Sequence, residues 1–259
     1  MDSGICTISI IPVRAEPSHK SELITQLLFG ELYKILEYYE TWIKIKTVFD
    51  SFEGWIDAKQ GKNLCDEEFD FLVDHNNAVT SDLVQNLFNK STQTNLQVVM
   101  GSSLPNLKFD TAHISLVEYI VNSESIRIPA PTNGSEIVDV ALKYLNAPYL
   151  WGGRTPFGTD CSGFTQIVMK ICGIPVFRNA SQQSVQGTTV DFISEGMPGD
   201  LVYFENIENQ IVHTGILINN QTIIHASGKV RIDPIDHEGI FNHDMKCYSH
   251  KLRLIRRFV

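Results

Sequence analysis

Residues 1–64 contain short runs of mixed apolar and polar positions that predict β-strands. The runs 31–37 (ELYKILE), 41–47 (TWIKIKT) and 53–59 (EGWIDAK) place the two classes at near-alternate positions. Successive side chains of a strand point to opposite faces, so such runs predict half-buried strands. Polar turn residues separate them at intervals typical of small barrels, and we predict one small β-barrel over residues 1–64.

The pattern between residues 65 and 130 is less regular. Residues 67–88 fit either a helix or strands, whereas residues 94–109 and 113–121 each predict a strand. We predict a second barrel over residues 65–130, divergent from the first. The chain then enters a predicted linker at 128–136 (IPAPTNGSE), where two prolines favour extended backbone and Asn-Gly-Ser interrupts regular structure.

Helical spacing appears in the last part of the chain, residues 131–259, which we predict to be a separate domain. Asn133 and Glu136 stand at the spacing of a capping box, which predicts the start of a helix. A second helix is predicted over residues 164–171, because apolar residues recur there at intervals of three and four. A glycine and a proline follow closely and end it.

Strands follow these two helices. The turn at 198–200 (PGD) leads into a predicted strand at 201–204, and residues 212–218 and 221–227 predict two more strands joined by a hairpin turn at Asn219-Asn220. Helices that precede an antiparallel sheet are typical of the α+β class, rather than of alternating α/β folds. We therefore predict an α+β domain here.

Composition and charge exclude several classes of function. The chain has 259 residues, 43% hydrophobic and 20% charged, which is a globular composition. A net charge of −9 argues against a surface for nucleic acid or anionic membrane, since both need a basic face. The start (MDSGICTISII) lacks the pattern of a signal peptide, and no stretch approaches about 18 consecutive apolar residues. We expect a cytoplasmic protein with neither nucleic acid nor membrane as partner.

Cys161 lies where a loop changes into the second predicted helix, between Asp160 and Ser162. Unpaired N–H groups and the positive end of a helix dipole stabilise a thiolate, so we expect its pKa below the free value of about 8.5. The thiolate is the nucleophilic form of cysteine, and it needs a proton acceptor close in space. Cys172, by contrast, adjoins Ile171 on the helix and is predicted to pack in the core.

Two histidines on the predicted hairpin are candidates for that acceptor. His213 follows Cys161 by 52 positions (213 − 161), and His225 follows by another 12 (225 − 213). With the turn at Asn219-Asn220 the two fall close to opposite each other, so one can act on the cysteine while the other orients it. Each can instead be an ordinary buried strand histidine, and that alternative stays open.

Four further residues near the end of the chain invite a metal interpretation: His237, His243, Cys247 and His250. Their spacings of 6, 4 and 3 fit no compact zinc pattern, and we interpret all four as solvated loop residues. The glycine pair at 152–153 lacks the strand-then-helix context of a phosphate loop. No metal and no organic cofactor is predicted.

Four blocks of sequence together resemble the signature of one family. They are YLWGGRTPFGTDCSGF (149–164), MPGDLVYF (197–204), VHTGILI (212–218) and IIHAS (223–227). In this order and at this spacing they resemble the NlpC/p60 family of papain-like cysteine peptidases, over residues 135 to 250. The resemblance implies a papain-like α+β catalytic domain.

The N-terminal strands resemble a bacterial SH3 (SH3b) domain, in which a Gly-Glu turn, a Trp-containing strand and a closing Gly-Trp strand recur. The corresponding residues are Gly30-Glu31, Trp42 and Gly54-Trp55. An unrelated small barrel is the alternative. An SH3b module ahead of the catalytic signature resembles the cytosolic branch of the family, the γ-D-glutamyl-L-diamino acid endopeptidases (dipeptidyl-peptidase VI type) that trim murein peptides during wall recycling.

The resemblance also implies catalytic roles. Cys161 matches the nucleophile, His213 the general base, His225 the orienting third member, and Tyr149 a tyrosine near the oxyanion. The resemblance thus implies a cysteine peptidase that cleaves the γ-D-glutamyl–L-diamino acid bond of murein tripeptides and tetrapeptides with a free N-terminal L-Ala. We expect it to be a monomer.

Further positions match the family's substrate-binding residues: Asp160, Ser162, Glu31, Trp151, Arg178 and Asn179. The first two match residues that hold the free N-terminal amine of the substrate, and Glu31 matches an acidic residue that also reaches it. Asn179 stands where the subfamily often has the aspartate of an Arg-Asp-Ala motif. The negative charge of that aspartate is absent in this chain, so the resemblance does not decide the substrate preference.

Two alternatives remain at this stage. The chain can be a secreted hydrolase of intact peptidoglycan whose barrels bind the wall, or a catalytically silent scaffold that binds peptides through the barrels. The intact set of Cys161, His213 and His225 argues against the scaffold.

Overall fold

The computed structural model describes residues 2–75, 78–130 and 132–259. The chain divides into two compact units, Met1–Pro129 and Ala130–Val259, which are described separately. Each unit is built mainly from antiparallel strands, with helices added.

The first unit begins with a seven-stranded antiparallel sheet of order β3-β2-β6-β5-β4-β1-β7. Its strands are β1 (Ser3–Cys6), β2 (Ile10–Arg14), β3 (Leu23–Leu28), β4 (Leu32–Tyr39), β5 (Trp42–Thr47), β6 (Glu53–Asp57) and β7 (Gly61–Leu64). The strands predicted at 31–37, 41–47 and 53–59 are confirmed as β4, β5 and β6. Their alternate apolar side chains, such as Ile43 and Ile45, are buried together in one core.

The second part of this unit combines a helix with short strands. The elements are α1 (Asp66–Asp74), β8 (Val79–Thr80), β9 (Val84–Asn89), β10 (Thr94–Val99), β11 (Thr111–Ile114), β12 (Val117–Ile120) and β13 (Ile126–Arg127). Strands β10-β9-β12-β11 form one sheet, and β8 pairs with β13. A single core joins Ile5 of β1 and Phe29, which follows β3, to Phe69 of α1 and Leu87 of β9. The division of this unit into two barrels stays a prediction.

The structure assigns one stretch that the sequence left ambiguous and corrects another. Residues 67–88, which fitted either class, hold most of α1 and then β8 and most of β9; Asn76 and Asn77 lie outside the described residues. The single strand predicted over 113–121 is wrong, because the chain turns back at Ser115 and forms the β11–β12 hairpin. Ser115 has a φ of +53°, a turn conformation that the alternation of apolar residues does not reveal.

The second unit packs helices against a large antiparallel sheet. Its elements are α2 (Gly134–Leu142), β14 (Arg154–Thr155), β15 (Gly158–Thr159), α3 (Cys161–Ile171), α4 (Ala180–Gln183), β16 (Thr188–Val190), β17 (Leu201–Glu205), β18 (Ile211–Asn219), β19 (Thr222–Ser227), β20 (Lys229–Pro234), β21 (Gly239–Asn242) and β22 (Cys247–Arg257). The sheet order is β16-β22-β17-β18-β19-β20, and β21 pairs with β22. All eleven residues of α3 are buried, so this helix forms the centre of the unit.

Local signals set the ends of both main helices. The side chain of Asn133 accepts the N–H of Glu136 at 3.0 Å and caps α2, as its position predicted. This helix begins at Gly134, inside the stretch predicted to be linker. Helix α3 ends before Gly173, whose φ of +75° suits the left-handed conformation that commonly follows a helix.

The β18–β19 hairpin has a different register from the one predicted. Its turn is Asn220-Gln221, one residue later than predicted, and the pairing shifts between Leu217 and Asn219. His225 therefore faces Gly215, two positions from His213, and the two histidines are diagonal neighbours. In the described parts of the chain, no helix combines the length and apolar character needed to cross a membrane.

Candidate active site

Cys161 is the first residue of α3, and its own N-cap residue precedes it. The Asp160 carboxylate accepts the N–H of Gly163 at 2.7 Å, which satisfies one of the donors that a helix start leaves unpaired. Cys161 is only 7% exposed. The thiol thus lies at the loop-to-helix junction that the sequence pattern predicted, but in a closed environment.

The pKa of the Cys161 thiol departs from its ordinary value in the direction opposite to our expectation. Burial, together with the negative charge of Asp160, raises this pKa to about 12. Backbone hydrogen bonds from Thr214 and Ser162 and the charge of Arg178 act in the lowering direction but are outweighed. The helix terminus does stabilise the thiolate, yet the loss of hydration costs more. The prediction of a lowered pKa is therefore wrong for the protein without substrate.

The backbone hydrogen bond from Thr214 to the thiol brings Cys161 beside strand β18, at the residue after His213. His213 is 6% exposed, and its Nε2 atom lies 2.8 Å from Nδ1 of His225. The structure therefore brings together the cysteine and both histidines that the sequence singled out.

Gly215 permits the diagonal approach of the two histidines. A Cβ atom at this position would lie 2.8 Å from the Cβ of His225, which is closer than side-chain carbons tolerate. Residues opposite each other, and residues two apart on one strand, share a face of a sheet. The bare glycine between them leaves room for the His225 ring to lean toward His213.

Asp233 extends this row and was not found from the sequence. Its Oδ2 atom lies 2.9 Å from Nε2 of His225, and it pairs with Ile223 on the neighbouring strand β19. Arg231 holds the carboxylate from the other side, with Nη2 donating to Oδ1 at 2.8 Å and Nε 2.6 Å from Oδ2. Burial alone would raise the pKa of Asp233, but the hydrogen bonds and charges of His225 and Arg231 lower it to about 2. Asp233 is thus ionised at neutral pH.

The ionised Asp233 fixes the tautomers of both histidines. A carboxylate only accepts hydrogen bonds, so Nε2 of His225 carries the proton and, in the neutral ring, Nδ1 accepts. Nε2 of His213 is then the donor in the 2.8 Å bond, which leaves the lone pair of its Nδ1 atom free. The hydrogen bonds from Asp233 through His225 to His213 therefore leave His213 with one basic nitrogen, Nδ1, whose lone pair is free.

His250 also belongs to this cluster, and its interpretation as a solvated loop residue is wrong. It lies on β22, half-buried, with its ring stacked on that of His213 at 4.0 Å between centroids and 26° between planes. His237, His243 and Cys247 are exposed, as predicted. The strand pairing that carries His250 inward, β22 with β17, joins residues far apart in sequence.

Burial lowers the pKa of both rings in this stack. Burial first, and then the neighbouring His250 and His225, bring the pKa of His213 well below 6.5. Burial and His225 lower the pKa of His250 to about 4, although Asp233 acts in the raising direction. Both rings are neutral at neutral pH.

The three histidines are the group best placed to hold a metal ion among the described residues. Ligand nitrogens of His213, His225 and His250 lie within 4.8 Å of one another. Lone pairs of an imidazole lie in the ring plane, however, so two stacked rings direct theirs almost parallel rather than at one point. Tetrahedral zinc needs convergent ligands about 2.0–2.1 Å from the ion. The arrangement fits a stacked base better than a ligand set, and the prediction of no metal stays a prediction.

Asp160 and Ser162 form a buried network with Arg178. The guanidinium donates to both oxygens of Asp160, at 3.0 and 2.6 Å, and to the hydroxyl of Ser162 at 2.9 Å. The carboxylate also accepts N–H groups from Gly152 at 2.8 Å and Gly163 at 2.7 Å. Arg178 is 2% exposed. Asp160 thus has its charge neutralised and its acceptor sites largely filled within the unit.

The other predicted site residues lie in different surroundings. Tyr149 is at the edge of exposure, and burial, followed by the charges of Cys161 and Asp160, raises its pKa to about 12, so its hydroxyl stays protonated and lies near both groups. Trp151 is exposed on the same loop, and Asn179 is exposed at the start of α4. Glu31 lies in the first unit, where its buried carboxylate accepts the N–H of Leu28 at 2.9 Å. Their roles toward a substrate stay predictions.

Comparison with protein-family models gives two matches. Residues 146–248 match the NlpC/P60 family, and residues 13–60 match the bacterial dipeptidyl-peptidase Sh3 domain. The two matched segments lie in the second and the first unit respectively.

Comparison with curated proteins and solved structures agrees with this. The chain is 24% identical to dipeptidyl-peptidase 6 of Lysinibacillus sphaericus, over 86% of this chain and 88% of that one. It is 26% identical to gamma-D-glutamyl-L-lysine dipeptidyl-peptidase of Bacillus cereus, over 86% of this chain and 73% of that one. The crystal structure of an NlpC/P60 family protein from Bacillus cereus superposes with a TM-score of 0.84 at 19% identity and covers 99% of each chain, which establishes a shared fold.

Proposed function

Since the chain carries an NlpC/P60 cysteine peptidase domain and a bacterial SH3 domain, we propose that it cleaves the γ-D-glutamyl–L-diamino acid bond of murein peptides with a free N-terminal L-Ala. The observation that supports this most is the row Cys161, His213, His225 and Asp233, which supplies a nucleophile, a base and two groups that orient the base. The relatives named for γ-D-glutamyl-L-lysine and dipeptidyl-peptidase activities support the choice of bond.

In the proposed mechanism the thiol of Cys161 attacks the γ-carbonyl carbon of D-glutamate. Nδ1 of His213 takes the thiol proton as the sulfur–carbon bond forms, and the carbonyl oxygen becomes an oxyanion. The backbone N–H of Cys161, in the first helical turn, and the hydroxyl of Tyr149 donate to that oxyanion. The high pKa of the free thiol and the low pKa of His213 mean that the proton moves during the attack, not before it.

Collapse of the tetrahedral intermediate breaks the carbon–nitrogen bond. His213 gives the same proton to the nitrogen, so the diamino acid leaves as a neutral amine. A water molecule then attacks the acyl-enzyme, transfers its proton to His213 and releases L-Ala-γ-D-Glu, after which the proton returns to the sulfur. His225 and Asp233 keep the His213 ring in the required tautomer through both steps.

The second part of the proposal is that the enzyme recognises the free N-terminus of the substrate peptide. We assign Asp160 and Ser162 to the end of the cleft that receives the L-Ala ammonium, because Tyr149, Asp160 and Cys161 are close neighbours. Arg178 already neutralises Asp160, so we expect the carboxylate to contribute a hydrogen-bond acceptor rather than a net attraction. Trp151, exposed on the same loop, is assigned to the wall of this cleft. Arg178 positions Asp160, and Asn179 follows it at the rim.

A requirement for a free amine implies where the enzyme acts. Stem peptides in the intact wall are joined to muramic acid through L-Ala and have no free amine, whereas released peptides do. We therefore propose a cytoplasmic enzyme of murein peptide recycling, with the secreted hydrolase of intact stems as the alternative. A broken charge-assisted hydrogen bond in a buried site costs roughly 2–5 kcal/mol, which makes the two hypotheses separable by rate.

The test compares one substrate in two forms. We expect L-Ala-γ-D-Glu-L-Lys to release the dipeptide L-Ala-γ-D-Glu, identified by mass spectrometry, and its N-acetylated form to react at least about 30-fold more slowly in kcat/KM. Purified sacculi are the third substrate. Equal rates on the free and acetylated peptides, or release of fragments from sacculi, would favour the secreted hydrolase.

A further inference from the structure

A groove with a volume of about 900 Å³ opens on the second unit beside the histidine cluster. It is lined by the end of β17 and the loop after it, by His237 and Glu238, and by residues 248–252 of β22; the first set is Glu205, Asn206, Ile207 and Asn209. None of the roles given above uses this groove.

His250 connects the groove to the proposed chemistry. It lines the groove on one side, and its ring stacks at 4.0 Å on His213 on the other. A general base that returns its proton to the leaving amine lies next to that amine. The groove thus adjoins the proposed base through the ring of His250.

Glu205 gives the wall of the groove its chemical character. Its side chain is 5% exposed, and Oε2 is buried without a hydrogen bond of good geometry from the described residues, although Arg253 Nε lies 3.2 Å away. Lys251 Nζ lies 2.7 Å from Oε1. These two cationic side chains are 58% and 69% exposed, so solvent competes for them. A buried carboxylate with exposed partners is suited to receive another ammonium.

The backbone places Glu205 directly after the residue that is paired with the proposed base. Its neighbour Phe204 is paired with His213, and the register of β17 shifts between Phe204 and Glu205. Such a bulge re-aims the following side chain, and paired strands lie only about 4.8 Å apart. A lysyl side chain carries its ammonium on a flexible four-carbon stem, long enough to extend from the leaving nitrogen along the groove.

We propose that this groove binds the diamino acid of the leaving group and that Glu205 binds its side-chain ammonium. The inference rests on the proposed function and goes beyond it, because it names the groups that select a diamino acid over an ordinary apolar residue. A site that pairs a buried charge rejects an analogue that lacks the partner, since the charge is then left less well compensated.

The experiment compares tripeptides that differ only in the third residue: L-Lys, L-norleucine, which has no ammonium, and Nε-acetyl-L-lysine. For the unmodified protein we expect kcat/KM to be about 10-fold or more higher for L-Lys than for either analogue. In Glu205→Gln the L-Lys advantage should fall to about two-fold or less while cleavage of the norleucine peptide is retained. Glu238→Gln, an exposed acid on the same groove, should keep the advantage.

The outcomes separate this inference from the proposed function. Equal kcat/KM for L-Lys and norleucine in the unmodified protein would overturn the groove assignment and leave the peptidase intact. An undiminished preference in a folded Glu205→Gln variant would do the same. If Glu205→Gln does not fold, the acetyl-lysine comparison in the unmodified protein decides. Cleavage of none of the three peptides would overturn both.

Discussion

Nε2 of His213 lies 2.8 Å from Nδ1 of His225, and the far nitrogen of His225 lies 2.9 Å from Asp233. Asp233 can orient His213 through the imidazole of His225 only if each of the two rings has a defined tautomer. The carboxylate supplies that definition, because it accepts from His225 and leaves His225 able only to accept from His213. The position of one aspartate therefore determines which nitrogen of His213 is basic.

Replacement of His213 should cost more activity than replacement of His225. A positioned general base contributes about 10²–10⁴-fold, and we expect a loss of this size in His213→Ala. In His225→Ala a water molecule can accept from Nε2 of His213, so a smaller loss is expected. Single-turnover rates of the two variants on L-Ala-γ-D-Glu-L-Lys measure the difference. A larger loss in His225→Ala would reverse the assignment of base and orienting residue.

Asp233→Ala should lower kcat by about 10-fold or more with little change in KM, because neutral His225 can then adopt either tautomer. Asp244→Ala is the matched control, since Asp244 also pairs with Arg231, at 3.1 Å, but no contact with His225 is seen among the described residues. The pH profile of kcat reports the tautomer effect. Circular dichroism shows whether the variant is folded. An Asp233→Ala variant with the unmodified rate would show that the carboxylate is structural only.

Cys161→Ala should abolish turnover while the fold is preserved. The residue occupies the first position of α3, where the helix is already capped by Asp160, and alanine is a good helix former. Cys161→Ser is the closer control, since it keeps the shape of the side chain but replaces the sulfur nucleophile. Substantial hydrolysis by a folded Cys161→Ala variant would refute the nucleophile assignment.

The parts of the site that sequence analysis found are those set by local pattern. The helix after Cys161 and the two strands carrying His213 and His225 each follow from neighbours within a few residues. The register of the hairpin depends on an irregularity at Leu217–Asn219, which alternation of apolar residues cannot show. The diagonal approach of the histidines was therefore missed, and so was the need for Gly215.

Asp233 and His250 were missed for a different reason. Each joins the site through pairing between strands, β20 with β19 and β22 with β17, and the second of these joins residues about fifty positions apart. An isolated aspartate followed by proline, or a histidine in a polar run, carries no local signal of burial. The predicted direction of the Cys161 pKa shift was wrong for a similar reason. The helix terminus is a local feature, whereas the desolvation that outweighs it comes from the tertiary fold.

The pH dependence of kcat/KM tests the protonation states directly. The proposed attack needs a neutral His213 and a protonated thiol in the free enzyme. Since burial holds the pKa of His213 well below 6.5, activity should persist at mildly acidic pH and fall only on an acid limb below 6.5, as His213 becomes protonated. Since the pKa of Cys161 is raised to about 12, its ionisation should produce no alkaline limb below about pH 10.

His250→Phe is the variant that makes this prediction specific. A phenyl ring can keep the stacking contact with His213, but it removes a neighbour that lowers the pKa of His213. The acid limb of kcat/KM should therefore move to higher pH, although burial, the main cause, still holds it below the ordinary histidine value of about 6.5. Tyr248→Phe, two residues away on β22, is the control and should leave the limb in place. An alkaline limb well below pH 10 in the unmodified protein would mean that a preformed thiolate–imidazolium pair, not a neutral pair, is the reactive state, because the imidazolium would lose its proton there.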